Sequence, residues 1–224
     1  RKLDYDDAAT YKMLGQGETE GVFQLESSGM KQVLVGLQPQ NLEDVIALIS
    51  LYRPGPMDSI PTYLRNRHEP DKISYKTPQL AHILDVTNGC IVYQEQVMQI
   101  FRELAGFSFG QADNVRRAMS KKKHAVMEAE REHFVHGCTE PGHECPGCVA
   151  NGISEKVANE IYDEMSSFAS YAFNKSHAAC YAYVAFQTAY LKCHYPSEFM
   201  AALLTSGLDN TDKVIEYSGE CARL

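Results

Sequence analysis

The sequence predicts an all-α fold with at most one short β pairing. Three features carry this expectation. Apolar residues recur at three- and four-residue spacing in segment after segment, as on one face of an amphipathic helix, and Leu42, Val45, Ile46, Ile49 and Tyr52 form the clearest run. Start and stop signals stand between the runs: Asn41 with Asp44 three residues on, Gly106 after Ala105, and Arg53-Pro54-Gly55-Pro56, where proline removes a donor and restricts its predecessor. Against these, Cys90–Tyr93 is the best strand-like stretch, and it is very short.

The elements follow in order. Asp4, Asp6 and Asp7 precede a short helical run through Leu14 that ends at Gly15-Gln16-Gly17. Three aspartates invite a two-metal reading, but nothing nearby completes such a site. Acids also suit the first turn of a helix, where the dipole favours them. Gly21–Ser27 is a compact apolar segment leading into a helix with Met30, Val33 and Leu34, and Asn41 caps the next. Arg53 falls at that helix's C-terminal end, where a cation is favoured. Residues 58–88 read as two short helices. A helix runs from Gln94 through Val97, Met98, Phe101, Leu104 and Ala105 to Gly106, and Ser108–His124 is the next helical segment. Val157, Ile161, Met165, Phe168 and Ala172 share a helical face. His177–Leu191 is apolar almost all round, which predicts a helix buried on most sides. Pro196–Leu224 holds two more helical patterns around a turn at Gly207–Asn210.

Composition narrows the classes. The chain has 224 residues, enough for one sizeable core or two small ones, and is 44% hydrophobic and 22% charged, ordinary for a folded soluble domain. Its net charge of −8 argues against coating nucleic acid through overall charge and leaves only a local basic surface for that role. No apolar run reaches the roughly 18 residues that span a bilayer. The chain begins at Arg1 rather than Met, with no signal-like segment, which reads as an excised piece or a mature fragment. Of the 7 cysteines, Cys90, Cys180, Cys193 and Cys221 lie scattered among helical patterns and read as buried free thiols in a reducing compartment.

Three clusters carry chemistry. Arg116, Arg117, Lys121, Lys122 and Lys123 crowd together in an acidic chain. A solvated basic face is the plain reading, and contact with a polyanion is the sharper one, since guanidinium forks match phosphate oxygens. Asp113 stands four residues before Arg117, within pairing distance on a helix. Asn174, Lys175, Ser176 and His177 form a polar break between two hydrophobic helical runs, with Ser176 as the expected N-cap. A cation, an amide, a hydroxyl and an imidazole beside free helix amides suit an anion such as phosphate; a polar corner with a cap is the alternative. Finally, Cys138, Cys145 and Cys148 fall in eleven residues, and Cys145-Pro146-Gly147-Cys148 has the spacing of a zinc knuckle. His143 or His136 would be a fourth ligand to a structural Zn²⁺; a redox-active pair and an uncoordinated loop stay open.

Gly21–Ser27 (GVFQLES), Leu51–Met57 (LYRPGPM), Tyr93–Met98 (YQEQVM), Gln111–Met119 (QADNVRRAM), Phe173–Ala179 (FNKSHAA) and His194–Ala202 (HYPSEFMAA) occur in this order. Together they resemble the fingers region of the C-family replicative DNA polymerases of bacteria, over nearly the whole chain. The resemblance implies one fingers fragment, 1–224, in three parts: 1–125 with the basic helix, the Cys/His-rich loop at 126–152, and the nucleotide-facing helix-loop-helix with C-terminal helices at 153–224. It implies that Arg116, Arg117 and Lys175 meet the triphosphate of an incoming dNTP. It implies that His177, with Tyr171 and Ser176, checks the sugar, and Asn174 and Arg53 belong to the same motifs. Two Mg²⁺ ions would be held by palm aspartates expected upstream of Arg1, leaving this piece inactive alone. Implied partners are primer–template DNA, the rest of the polymerase chain, and replisome subunits bound through other regions. Ser120 and Ala172 depart from glycines common in the family, and many relatives lack the 138–148 loop. The competing reading from a different class is a zinc-stabilised helical interaction module that docks a partner through its basic helix.

Overall fold

The computed structural model describes residues 3–121, 124–169 and 171–224. Among these, thirteen α-helices and four 3₁₀ turns make up the regular structure. β pairing is confined to two isolated bridges, Tyr93 with Phe173 (parallel) and Cys138 with Cys145 (antiparallel). The first falls on the predicted strand-like stretch; the second was not readable from periodicity, because one residue pair leaves no alternation. The chain divides into two compact units, one joining Arg1–Tyr52 with Ser176–Leu224 and the other spanning Arg53–Lys175.

The first unit opens with α1 (Ala8–Gly15), α2 (Ser28–Leu37) and α3 (Leu42–Leu51). Each begins on a side-chain cap that satisfies an orphan amide of its first turn. Asp7 accepts from the Thr10 N–H at 2.8 Å, Ser27 from Met30 at 3.4 Å and Asn41 from Asp44 at 3.0 Å. Asp7 is thus a cap one position before the first turn. The predicted apolar face of α3 is wider than its spacing indicated, since every residue from Asp44 to Leu51 is buried.

The second unit contains α4 (Ile60–His68), α5 (Ala81–Leu84), α6 (Gln94–Ala105), α7 (Phe109–Ser120), α8 (His124–His136), α9 (Gly147–Ala150) and α10 (Glu155–Ala169). Its core is built from Val97, Ile100, Phe101 and Leu104 of α6, Val115 and Met119 of α7, Phe134 of α8, and Ile161, Tyr162 and Met165 of α10. Phe101 packs edge-on against Phe134 at 5.1 Å and against Tyr162 at 5.9 Å, the offset geometry aromatic quadrupoles prefer. The Tyr162 hydroxyl donates to the Met127 carbonyl at 2.6 Å, so this buried ring keeps its polar end paired. Gln96 is buried and fully engaged: its Oε1 accepts from the Val92 and Tyr93 amides at 2.9 Å, and its Nε2 donates to Ile83 O at 3.1 Å and Thr87 Oγ1 at 2.7 Å. A side chain thereby takes the place of a partner strand for residues 92 and 93.

The chain returns to the first unit through α11 (Lys175–His194), then α12 (Pro196–Ser206) and α13 (Thr211–Arg223). Burial on α11 follows one stripe, Ala178, Ala182, Ala185, Phe186, Ala189 and Lys192, while Tyr183, Val184 and Leu191 are exposed. That corrects the expectation of a helix buried on most sides: the alanines and Phe186 make the close contacts, while Tyr183, Val184 and Leu191 stay more than two-fifths exposed. Cysteine burial is corrected too. Cys90 is buried, Cys193 half-buried, and Cys180 and Cys221 exposed, and all are free thiols.

Lys192, only 2% exposed, anchors this unit. Its ammonium donates to Glu220 Oε1 at 2.6 Å and to the Glu20 carbonyl at 3.0 Å, and Arg223 donates to Glu220 at 2.7 and 2.8 Å. The Arg223 and Lys192 hydrogen bonds hold the Glu220 carboxyl down at about 2 from its ordinary 4.5. A depressed carboxylate contributes stability that is present above its unfolded value and lost as pH falls through the folded one. Resistance to urea is therefore expected to fall from about pH 4.5 towards 2, and Glu220→Gln to flatten that slope. Glu220→Ala, which strands a buried ammonium, is expected to cost about 3–5 kcal/mol at neutral pH.

Candidate functional site

Three of the singled-out motifs meet in the second unit. Phe173 N donates to Val92 O at 3.2 Å and Gln94 N to Phe173 O at 2.9 Å, which sets Asn174 and Lys175 beside the start of α6. Glu95, in the first turn of α6, accepts from Asn174 Nδ2 at 2.8 Å and from the Lys175 amide at 3.1 and 3.2 Å. The Lys175 ammonium lies 5.3 Å from the centroid of the Tyr93 ring, within cation–π range. Gln94 donates to Ala172 O at 3.0 Å and accepts from Arg116 Nη1 at 3.1 Å.

Of these, Gln94, Glu95, Asn174 and Arg116 face a cavity of about 540 Å³ lined also by Arg102, Phe109 and Asp113 among others, and Lys175 does not line it. Arg116 is presented by α7 and held by Asp113 Oδ1 at 2.7 and 3.0 Å. Asp113 also takes Arg117 Nε on its other oxygen at 2.8 Å, the pairing that four-residue spacing predicts. Hydrogen bonding and charge from both arginines hold its carboxyl below the usual range. The two arginines part company beyond that carboxylate. Successive helical residues diverge by about 100°, and Arg117, 64% exposed, lines a separate hollow of about 240 Å³ with Asn114 and Lys121. Lys122 and Lys123 lie outside the described residues.

Ser176 is not the cap the sequence suggested. α11 begins one residue earlier, at Lys175, so Ser176 sits inside the first turn. The amide of Lys175 meets the Glu95 carboxylate, an anion supplied by the chain itself at the positive end of a helix. Arg53 stacks over Phe173 at 4.2 Å and donates through Nη2 to Tyr171 O at 2.6 Å. In the first unit, His177 packs on Tyr181 at 4.7 Å, and Tyr181 stacks on Phe23 at 5.5 Å. Spacing alone missed Phe23 and Tyr181, along with Gln94 and Glu95; an acid and two glutamines opening an amphipathic helix were the available signal.

In the Cys/His-rich loop, Cys145 and Cys148 are buried, Cys138 is half-buried and His143 exposed. Burial pushes the Cys148 thiol up to about 12 and raises Cys145 as well. Among the described residues, one set of three ligand atoms lies mutually within 4.8 Å, that of Asp7, Cys193 and His194. There Asp7 caps α1 and accepts from His194 at 2.9 Å, which accounts for the cluster without a metal. Among the described residues, no helix is long and apolar enough to cross a membrane.

Comparison with known proteins gives a consistent answer. The family described as the bacterial DNA polymerase III alpha subunit finger domain matches residues 1–142. The chain is 50% identical to the DNA polymerase III subunit alpha of Thermus aquaticus over 96% of its length, covering 17% of that protein. It is 46% identical to the Bacillus subtilis subunit, again over 96% of the chain and 18% of the relative. For Staphylococcus aureus Mu50 the figures are 43%, 99% and 20%. The chain belongs to the finger-domain family of bacterial DNA polymerase III alpha subunits, and it spans about a fifth of the length of these relatives.

Glu95 ties the two motifs together at their polar ends. Glu95→Ala is expected to lower stability by about 1–2 kcal/mol through lost charge-assisted hydrogen bonds and the lost helix-terminal anion. Denaturant unfolding at matched pH measures this, and Glu95→Gln should recover part of it.

Proposed function

We propose that this chain acts as the fingers of a template-directed DNA polymerase, with its polar cavity facing the triphosphate of an incoming dNTP. One observation carries the reading: Arg116, Asn174 and the Gln94–Glu95 pair, from three motifs far apart in sequence, line a single cavity of about 540 Å³. Arg116 is prepositioned by Asp113 but also bonds a neutral amide, Gln94. A phosphate oxygen exchanging with Gln94 replaces a bond to a neutral amide by an ion pair that the guanidinium can make with two oxygens at once. Arg116 and Lys175 then neutralise charge that builds on the triphosphate during in-line transfer, while Arg117, in the separate hollow, acts through the shared Asp113. His177, with Ser176 and Tyr171, excludes a ribose hydroxyl by bulk beside the sugar, and Asn174 and Arg53 hold the connecting loop in shape.

The nucleotidyl transfer itself needs two Mg²⁺ ions. Asp7 is committed to a cap and to His194, so the ions belong to carboxylates of the longer polymerase. The fragment alone is therefore inactive, and its partners are primer–template DNA and the remainder of a cytoplasmic replicative polymerase. In the full subunit, Arg116→Ala is expected to lower kcat/KM for dNTP about 10- to 100-fold, roughly 1.4–2.7 kcal/mol of transition-state stabilisation. Arg116→Lys should fall between, since lysine lacks the fork. An unchanged kcat/KM in Arg116→Ala and Lys175→Ala would remove the assignment. His177→Ala is expected to raise ribonucleotide incorporation relative to deoxynucleotide, read by competition on one template.

A further inference from the structure

We propose that Cys138, Cys145 and Cys148 bind one structural zinc ion, with His143 as the fourth ligand. Cys138 and Cys145 exchange two backbone hydrogen bonds of 2.9 Å each. Residues paired in this way stand directly opposite, with Cα atoms about 5.5 Å apart and side chains on one face. Cys148 follows three residues later, across Pro146-Gly147, at the opening of α9. His143 precedes Cys145 by two and closes a turn, its amide donating to Glu140 O at 2.9 Å. The other nearby imidazole, His136, is turned towards acids, 3.9 Å from both Glu132 and Glu155.

The backbone under these sulfurs is held in place. Gly137 and Gly147 both adopt positive φ, +86° and +78°, and cross at atomic contact. A Cβ on Gly147 would lie 2.3 Å from Gly137 N, and one on Gly137 would lie 2.5 Å from Pro146 O. Cys145 and Cys148 belong to the core of the second unit, with Cys138 packed against it. In the structure no three ligand atoms of this loop lie mutually within 4.8 Å; Cys145 Sγ lies 3.6 Å from the His133 carbonyl. A tetrahedral site with Zn–S bonds of about 2.3 Å brings sulfurs to about 3.8 Å. Each coordinating thiol gives its proton to solvent as its sulfur bonds the metal, so apparent affinity rises with pH. Four protein ligands leave no open position, which makes the site structural. Its effect is to clip the end of α8 to α9.

The test uses the full-length polymerase subunit, purified under reducing conditions and equilibrated with zinc. Metal content by mass spectrometry is compared with that of the Cys138→Ser/Cys145→Ser/Cys148→Ser variant. The expected result is a loss of one zinc equivalent per chain. Cobalt in place of zinc should give a thiolate-to-cobalt absorption that weakens in each single variant and vanishes in the triple one. Equal zinc content in wild type and triple variant overturns the proposal, and so does a Cys138–Cys145 disulfide found in the protein as isolated. Unaltered zinc affinity in His143→Ala overturns the assignment of the imidazole. If the triple variant fails to fold, the wild-type protein still decides. Titration with a mercurial should release one zinc as the three loop thiols react, and release of none refutes the site.

Discussion

The bond pair between Phe173 and the segment Val92–Gln94 is the constraint on which the rest of the site depends. A single bridge is weak by itself, and this one is stiffened from behind by Gln96, whose amide occupies the Val92 and Tyr93 donors and reaches Ile83 and Thr87. A buried polar group so completely paired rigidifies its surroundings, while a half-paired one would be costly. The consequence is positional. With Phe173 fixed, Asn174 and the Lys175 amide fall on Glu95, and the ring of Phe173 lies under Arg53. One short contact between residues eighty apart in sequence thus assembles groups from three motifs.

Charge in this region is arranged by pairing rather than by excess. The cavity carries Arg102 and Arg116 but also Glu95, Glu103 and Asp113, and the chain as a whole is acidic. An arginine held by a carboxylate keeps its orientation before any ligand arrives, which lowers the ordering cost on binding.

Much of the architecture was legible from spacing and punctuation. Asn41 capping Asp44, α6 stopping at Gly106 and Asp113 pairing with Arg117 all follow from local rules. What was not legible depends on distant chain. The start of α11 moved to Lys175 because Glu95, in another helix, supplies an acceptor at its first amide. The alanine stripe of α11 looked like one part of an all-round apolar surface, since composition does not say which apolar residues meet a neighbour. The joining of Arg1–Tyr52 with Ser176–Leu224 leaves no mark in local periodicity. Within the site, the basic and polar residues and Asp113 could be named from sequence, whereas Gln94 and Glu95 could not, because their partners lie in other motifs.

Asp113 serves two guanidiniums that open onto different hollows. Occupancy of one hollow therefore alters the other without any rearrangement of the helix. An anion that draws Arg116 away leaves both carboxylate oxygens to Arg117, tightening it, while an anion on Arg117 does the reverse. Groups that share a partner in this way do not contribute independently. The two arginines behave as a competing pair, and the carboxylate between them sets the exchange.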